Sequence, residues 1–242
     1  MLLGNFYSTV KLLRILKLPA TLDFVRLGME NPNPEDIAPM LGPQMEALLC
    51  DDVEFSKPLE VDVSISGPTQ VMVSVTPRYS PREQWPTKNR PEKIFEIYTE
   101  PDARKQFAID LLRLIPQTRV KALTMNHTPK ISDEPFPELE ELDLYGVDLS
   151  KDPFLHVYRT GTNSDTKLFP SLKNLLLVDV HLDNELMQPL KNFVKDQCSN
   201  KKYISLFVIQ DSGCELSREK ELEMIKEFKA LGAERVHLSK DI

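Results

Sequence analysis

Apolar positions recur along this chain as a unit of the form Lxx-Lx-L. It is clearest in FPELEELDLYGVDLS (136–150) and FPSLKNLLLVDVHLD (169–183), whose apolar residues repeat 33 residues apart. Leu139, Leu142 and Leu144 correspond to Leu172, Leu175 and Leu177. Tyr203, Leu206 and Val208 follow 31 residues later, and Ala233, Val236 and Leu238 another 30. Val120, Leu123 and Met125 fit upstream, 19 residues before the Leu139 unit, and Leu13, Leu16 and Leu18 fit as well. The last two apolar positions of each unit are two apart, which predicts a short strand with one face inward. The first packs under the chain as it turns into that strand.

Between these units the period becomes helical. DARKQFAIDLLRLIP sets Phe107, Leu111, Leu114 and Ile115 on one face, and Pro116 stops the helix. ELMQPLKNFV places Leu186, Leu190, Phe193 and Val194 on another, with regular helix expected from Pro189 onward. LSREKELEMIKEFKALG opens on Ser217 as N-cap and closes on Gly232 as the residue just past the helix. In the N-terminal half, Asn33 caps a helix starting at Pro34, which Pro39, Gly42 and Pro43 are expected to break into short pieces. LEVDVSIS and TQVMVSV alternate strictly around Gly67-Pro68 and predict a hairpin or two adjacent strands. Residues 76–92, with Pro77, Pro81, Pro86 and Pro91 among Arg and Lys, read as a long polar loop, and IFEIY (94–98) resumes a strand.

Strand and helix alternating at about 30 residues per unit predict an α/β fold of the leucine-rich-repeat type. Strands would line one face of such a solenoid and helices the other. A doubly wound α/β domain would also alternate strand and helix, but it has no need for Phe-Pro-x-Leu before successive strands. On this reading 1–242 is a single repeat-type domain. Irregular repeats occupy 1–98, including the loop at 76–92, and more regular ones occupy 99–242.

LLRILKLPATLDFVRL, the Pro- and Gly-broken helix, the hairpin and the two FPxLxxLxL stretches resemble, in that order, the leucine-rich-repeat region of F-box proteins of mushroom-forming fungi. The closing ISLFVIQDSGCELSREKELEMIKEFKALGAERVHL is similar to the last helix and strand of that region. The resemblance implies a target-selecting surface, while a separate helical F-box docks on a ubiquitin-ligase core. That F-box is missing from the likeness, since the first repeat-like strand is expected about a dozen residues after Met1. Docking on a ligase core is therefore expected only with an F-box upstream. An uncapped N-terminal edge is expected for the chain alone, with either self-association or only marginal stability.

In each repeat strand, the residues between the core positions point to the open face. These are Ala122, Thr124 and Asn126, then Glu141, Asp143 and Tyr145, then Asn174, Leu176 and Val178, then Ser205, Phe207 and Ile209. The last three sets, from Glu141 to Ile209, form the candidate protein-binding face, with Tyr145 and Phe207 as aromatic anchors. The alternative is that the protein's own loops, such as 151–168, cover the apolar part of this face. Glu138, Glu140, Glu141 and Asp143 form an acidic run that either attracts a basic target or is a solvated surface.

Composition narrows the classes. With 41% apolar and 28% charged residues the chain reads as a globular protein, and its formal charge of −7 argues against general nucleic-acid binding. No stretch approaches the ~20 apolar residues of a membrane helix. Cys50, Cys198 and Cys214 form no CxxC and fit a reducing compartment, cytoplasmic or nuclear. His127, His156, His181 and His237 fall in no HxxxH or HExxH frame, and there is no GxGxxG, P-loop or GxSxG. His181 between Asp179 and Asp183 is the weak exception. No catalytic residue, cofactor or metal is expected, and no membrane partner. The function expected is a non-catalytic protein-interaction module, the target-recognition repeats of an F-box-type adaptor. A stand-alone repeat scaffold or inhibitor is the alternative, and an α/β enzyme with a scattered site is a remote one.

Overall fold

A computed structural model describes residues 2–16, 24–30, 32–50, 55, 57–78, 91–127, 135–146, 169–179, 184–199, 204–209 and 218–239. The fold is mixed α/β. Its strands are β1 (Leu2–Asn5), β2 (Phe24–Glu30), β3 (Leu59–Ser66), β4 (Gln70–Pro77), β5 (Glu92–Tyr98), β6 (Val120–Asn126), β7 (Glu141–Tyr145), β8 (Asn174–Val178), β9 (Ser205–Ile209) and β10 (Arg235–Ser239). The helices are α1 (Phe6–Leu16), α2 (Pro34–Cys50), α3 (Arg104–Arg113), α4 (Asn184–Ser199) and α5 (Arg218–Ala230). In the N-terminal part the strands hydrogen-bond in the order β1-β2-β5-β4-β3, and in the C-terminal part in the order β7-β8-β9-β10. The chain divides into two compact units, Met1–Leu123 and Thr124–Ile242.

In the first unit, β1, β2 and β5 run parallel, and β5, β4 and β3 are antiparallel neighbours. The expected hairpin is present, turning at Gly67, whose φ of 62° suits a residue without Cβ. One face of this sheet is apolar: Val25, Leu27 and Met29, Val61 and Val63, Val71, Val73 and Val75, and Phe95 and Ile97 are all buried. Helix α3 packs on β3 and β4, α1 packs on β2, and α2 packs on α1 and α3. Lys93 shares this apolar face and is wholly buried, its ammonium 4.8 Å from the centre of the Phe55 ring. Phe55 supplies the π-face that a buried cation favours.

Two expectations for this unit need correction. Leu13 and Leu16 lie in α1, not in a strand. Asn5 accepts a hydrogen bond from the Tyr7 amide (3.1 Å), and Phe6, Val10 and Leu13 then fall buried at i, i+4 and i+7, a helical stripe. Helix α2 is also unbroken. Asn33 caps it as expected, accepting the Glu35 amide at 3.4 Å, but Pro39 and Pro43 sit inside one 17-residue helix. Both prolines are exposed, while Ile37, Leu41, Met45, Leu48 and Leu49 are buried opposite them. The carbonyls freed by the prolines can be hydrated on that side, and burial of the other stripe holds the helix together.

In the second unit, β7, β8, β9 and β10 are parallel and follow one another in chain order. Their register pairs Leu142 with Leu175, Leu175 with Leu206, and Leu206 with Val236. Leu144, Leu177, Val208 and Leu238 form the next row. These are the positions aligned by the sequence repeat. Leu142, Leu144, Leu175, Leu177, Leu206 and Val208 are buried, and so are Leu139 and Leu172. Helix α4 begins at Asn184, five residues before the expected start, and Pro189 is accommodated within it because only one backbone bond near its N-terminus is lost. Leu190, Phe193 and Val194 face the core.

Helix α5 ends as its sequence predicts. Gly232 has a φ of 106°, its amide donates to Lys229 O (3.1 Å), and the Ala233 amide donates to Phe228 O (3.1 Å). This is a Schellman closure, with Ala233 and Phe228 both buried beneath it. Ser217, the expected N-cap, lies outside the described residues, as do 79–90 of the expected loop.

Candidate functional site

The parallel strands of the second unit set the expected binding face in rows. Glu141, Asn174 and Ser205 make one row, Asp143, Leu176 and Phe207 the next, and Tyr145, Val178 and Ile209 the third. Arg235, His237 and Ser239 extend the rows on β10. The seven of the nine expected residues whose side chains are described therefore share one sheet face. Glu141, Asp143, Tyr145, Asn174, Leu176 and Ser205 are half-buried. The side chains of Phe207 and Ile209 lie outside the described part of β9.

Val178 is covered rather than open, since only 2% of it meets solvent, the state that the alternative reading of this face allowed. Alternation along a strand decides which face a side chain takes but says nothing of what excludes water from that face. Asp143 feels the same exclusion. Burial, and then the neighbouring Glu141 charge, push its carboxyl up to about 6. Because the folded value lies above the usual 3.8, the proton is held more tightly in the folded state. Stability from this group is highest below pH 4 and falls as pH rises through 4 to 6. Asp143→Asn is accordingly expected to raise stability at pH 7 by about 1 kcal/mol, discounted for the part of the group that water still reaches, and to change little at pH 4. Urea unfolding at the two pH values measures this, and an equal effect at both would refute it.

Residues at the strand ends carry a second regularity. His127 (φ 54°), Gly146 (φ 58°) and Asp179 (φ 54°) each follow directly on β6, β7 and β8 in the left-handed region. The His127 amide donates to Tyr145 O (2.8 Å) and the Gly146 amide to Val178 O (2.9 Å), so successive strands close alike. His181 and Asp183 lie outside the described residues, as do His156 and Cys214. Among the described residues, no group of three His, Cys, Asp or Glu side chains is placed to hold a metal ion. Cys198 is half-buried, and burial raises its thiol pKa.

The first unit holds a polar cluster that the sequence reading did not single out. Opposite the apolar face, β2, β5, β4 and β3 present Arg26, Glu92, Glu96, Tyr98, Gln70, Ser74, Asp62 and Ser64. The Glu96 side chain is fully buried and accepts from Arg26 through two nitrogens, Nη2 at 2.6 Å and Nε at 3.0 Å. Gln70 Nε2 donates to it at 3.0 Å and the Tyr98 hydroxyl at 3.4 Å. This forked pair is the strongest geometry available to a carboxylate, and it raises the Arg26 pKa. The Tyr98 pKa rises too, first through burial and then through the Glu96 charge.

At the other end of this face, Ser74 Oγ donates to Glu92 Oε1 at 2.5 Å, and Asp62 lies across from Ser74 in register. Burial, then Glu92, raise the Asp62 pKa.

No family model, curated protein or solved structure matches this chain. Its function is therefore read from its own residues. Among the described residues, no helix is long and apolar enough to cross a membrane. The local signal that could have found the first-unit cluster is the spacing of Glu92, Glu96 and Tyr98 in EKIFEIY, which puts three polar groups on one strand face. Arg26 and Gln70 carry no such signal, because only sheet register brings them to Glu96.

Proposed function

We propose that the chain is a non-catalytic protein-interaction module built as a leucine-rich-repeat-like solenoid. Its role is that of the target-recognition repeats of an F-box-type ubiquitin-ligase adaptor, acting in the cytoplasm or nucleus. The observation that carries this reading is the register of β7–β10, in which residues spaced 30 to 33 apart stack side by side and place Glu141, Asn174 and Ser205, then Asp143 and Leu176, in ranks on one face. A ranked strand face offers many shallow contacts to a protein partner and suits selection of a target better than enclosure of a small substrate.

The test is affinity capture from cells of the source organism, with the wild-type chain beside Asn174→Arg and Leu176→Ala. The expected result is a protein held by wild type and weakened roughly thirtyfold by either substitution, as for a residue at the centre of an interface. The melting temperature should stay nearly unchanged, and the captured protein should live longer when the chain is depleted. Capture indifferent to both substitutions would overturn the assignment of the face, and an unchanged lifetime would overturn the ligase role.

A further inference from the structure

The ranked face of the second unit is not uniform from strand to strand. Its charges stand at its two sides, acids on β7 and the basic residues Arg235 and His237 on β10. Glu141 shares a row with Asn174, Ser205 and Arg235, and Asp143 shares the next with Leu176 and His237. Between the two sides the described side chains of these rows, on β8 and β9, are neutral. Three strand spacings of about 4.8 Å separate β7 from β10, so the opposite charges stand roughly 14 Å apart. That distance exceeds the screening length at physiological salt, and the two sides do not neutralise each other. Nor is either neutralised nearby. Glu140, at the entry to β7, is paired with Lys173 at 3.1 Å, but Asp143 and Arg235 form no ion pair with any described residue. Arg235 is exposed, and Leu176, between the charged sides, is half-buried. The formal charge of −7 would by itself suggest a basic target, but Arg235 opposes one.

We infer that the target presents to this face an extended segment with a cationic and an anionic side chain four residues apart and an apolar one between them. This inference rests on the face being the target-binding surface and adds the chemistry of what it selects. The segment runs across the strands. Its cation sits at Asp143 and Glu141 on β7, its apolar side chain on Leu176, and its anion at Arg235 on β10. An extended chain advances about 3.4 Å per residue, so four residues cover the roughly 14 Å between the two sides. A segment of uniform charge would meet its own sign at one side and lose there what it gained at the other. Asp143 is the sharper of the two determinants. Burial strips water from its carboxyl without supplying a cation, and a guest cation restores the lost stabilisation.

The test is an NMR titration of the intact chain with Ac-Gly-Lys-Ala-Leu-Ala-Glu-Gly-NH2 and with three relatives in which both charged positions are Lys, both Glu or both Gln. Saturable shifts of the Leu176 methyls and of amides along β7 to β10 are expected with the Lys/Glu peptide. Its affinity should exceed that of each relative by roughly threefold or more, the worth of one partly exposed ion pair, and high salt should erase the difference. Asp143→Asn should weaken the Lys/Glu peptide roughly threefold. Arg235→Glu, at an exposed position that leaves the melting temperature unchanged, should make the Lys/Lys peptide the tightest of the four. Equal affinities for all four peptides, no saturable shifts in the wild-type chain, or a preference unmoved by Arg235→Glu would each overturn the charge order. If target capture still responds to Asn174→Arg in such a case, the binding face stands and the charge order alone falls. Saturable binding that leaves β7 to β10 unshifted would overturn both.

Discussion

Phe136→Ala is expected to cost the protein about 3–5 kcal/mol of stability, the range for deleting a fully buried aromatic side chain. Phe136 and Phe169 are the first residues of the two Phe-Pro-x-Leu stretches, exposed by 0% and 1%. Their rings stack with centroids 6.3 Å apart and planes inclined by 29°. Each opens the same turn: the Leu139 amide donates to Phe136 O and the Leu172 amide to Phe169 O, both at 3.3 Å. One turn is then bound to the other. Ser171 Oγ donates to Pro137 O (2.7 Å), and the Lys173 and Asn174 amides both reach Glu140 O (2.8 and 2.9 Å).

Removing one ring therefore empties the space under both turns and loosens the entry to β7 and β8 together. The substitution Phe169→Ala should cost a similar amount, and the double variant should cost less than the two combined by about 0.5–1.5 kcal/mol, the coupling typical of an aromatic pair. Denaturant unfolding of the four proteins measures the cycle. A loss below about 1 kcal/mol for either single variant would show that these rings are not the pillars of the repeat.

That pairing also explains why the second unit was legible in the sequence. Phe136, Leu139, Leu142 and Leu144 do locally what Phe169, Leu172, Leu175 and Leu177 do, so a repeat in the sequence becomes a register in the sheet. In the first unit the same three-residue apolar spacing misled, because Leu13 and Leu16 satisfy a helix as readily as a turn into a strand. Nothing local separates the two; the Asn5 cap and the stripe of Phe6, Val10 and Leu13 decide it. Pro39 and Pro43 misled in the opposite sense. Their cost is local, whereas the burial of Ile37, Leu41 and Met45 that outweighs it is tertiary.

The candidate face was legible as to membership, since alternation assigns it. Solvent access was not, and Val178 and Asp143 show the difference. The Arg26–Glu96 pair joins residues 70 apart and could be found only once β2 and β5 were neighbours.

Gly146→Ala should cost about 2–3 kcal/mol, against about 1 kcal/mol for Gly67→Ala, and the comparison isolates a steric contact from a dihedral preference. Both glycines hold nearly the same backbone angle, φ 58° and 62°. A Cβ on Gly67 meets nothing within 4 Å, so Ala there pays only for the left-handed conformation. A Cβ on Gly146 would lie 2.5 Å from His127 Nδ1 and 2.7 Å from its Cε1, too close for any side chain. The His127 side chain is exposed and its backbone is held in the left-handed region with its amide bound to Tyr145 O, so the methyl fits only if the ring turns about its own side-chain bonds and gives up its present rotamer.

The ring and the new methyl therefore compete for the space where β6 and β7 both end. Introducing Gly146→Ala into a His127→Ala background should remove the steric part and leave the dihedral part, about 1 kcal/mol, matching Gly67→Ala. Thermal and denaturant unfolding of these variants supply the numbers. Were Gly146→Ala to cost no more than Gly67→Ala, the His127 ring would have to be free to leave, and the matched strand endings of β6 and β7 would not constrain each other through it.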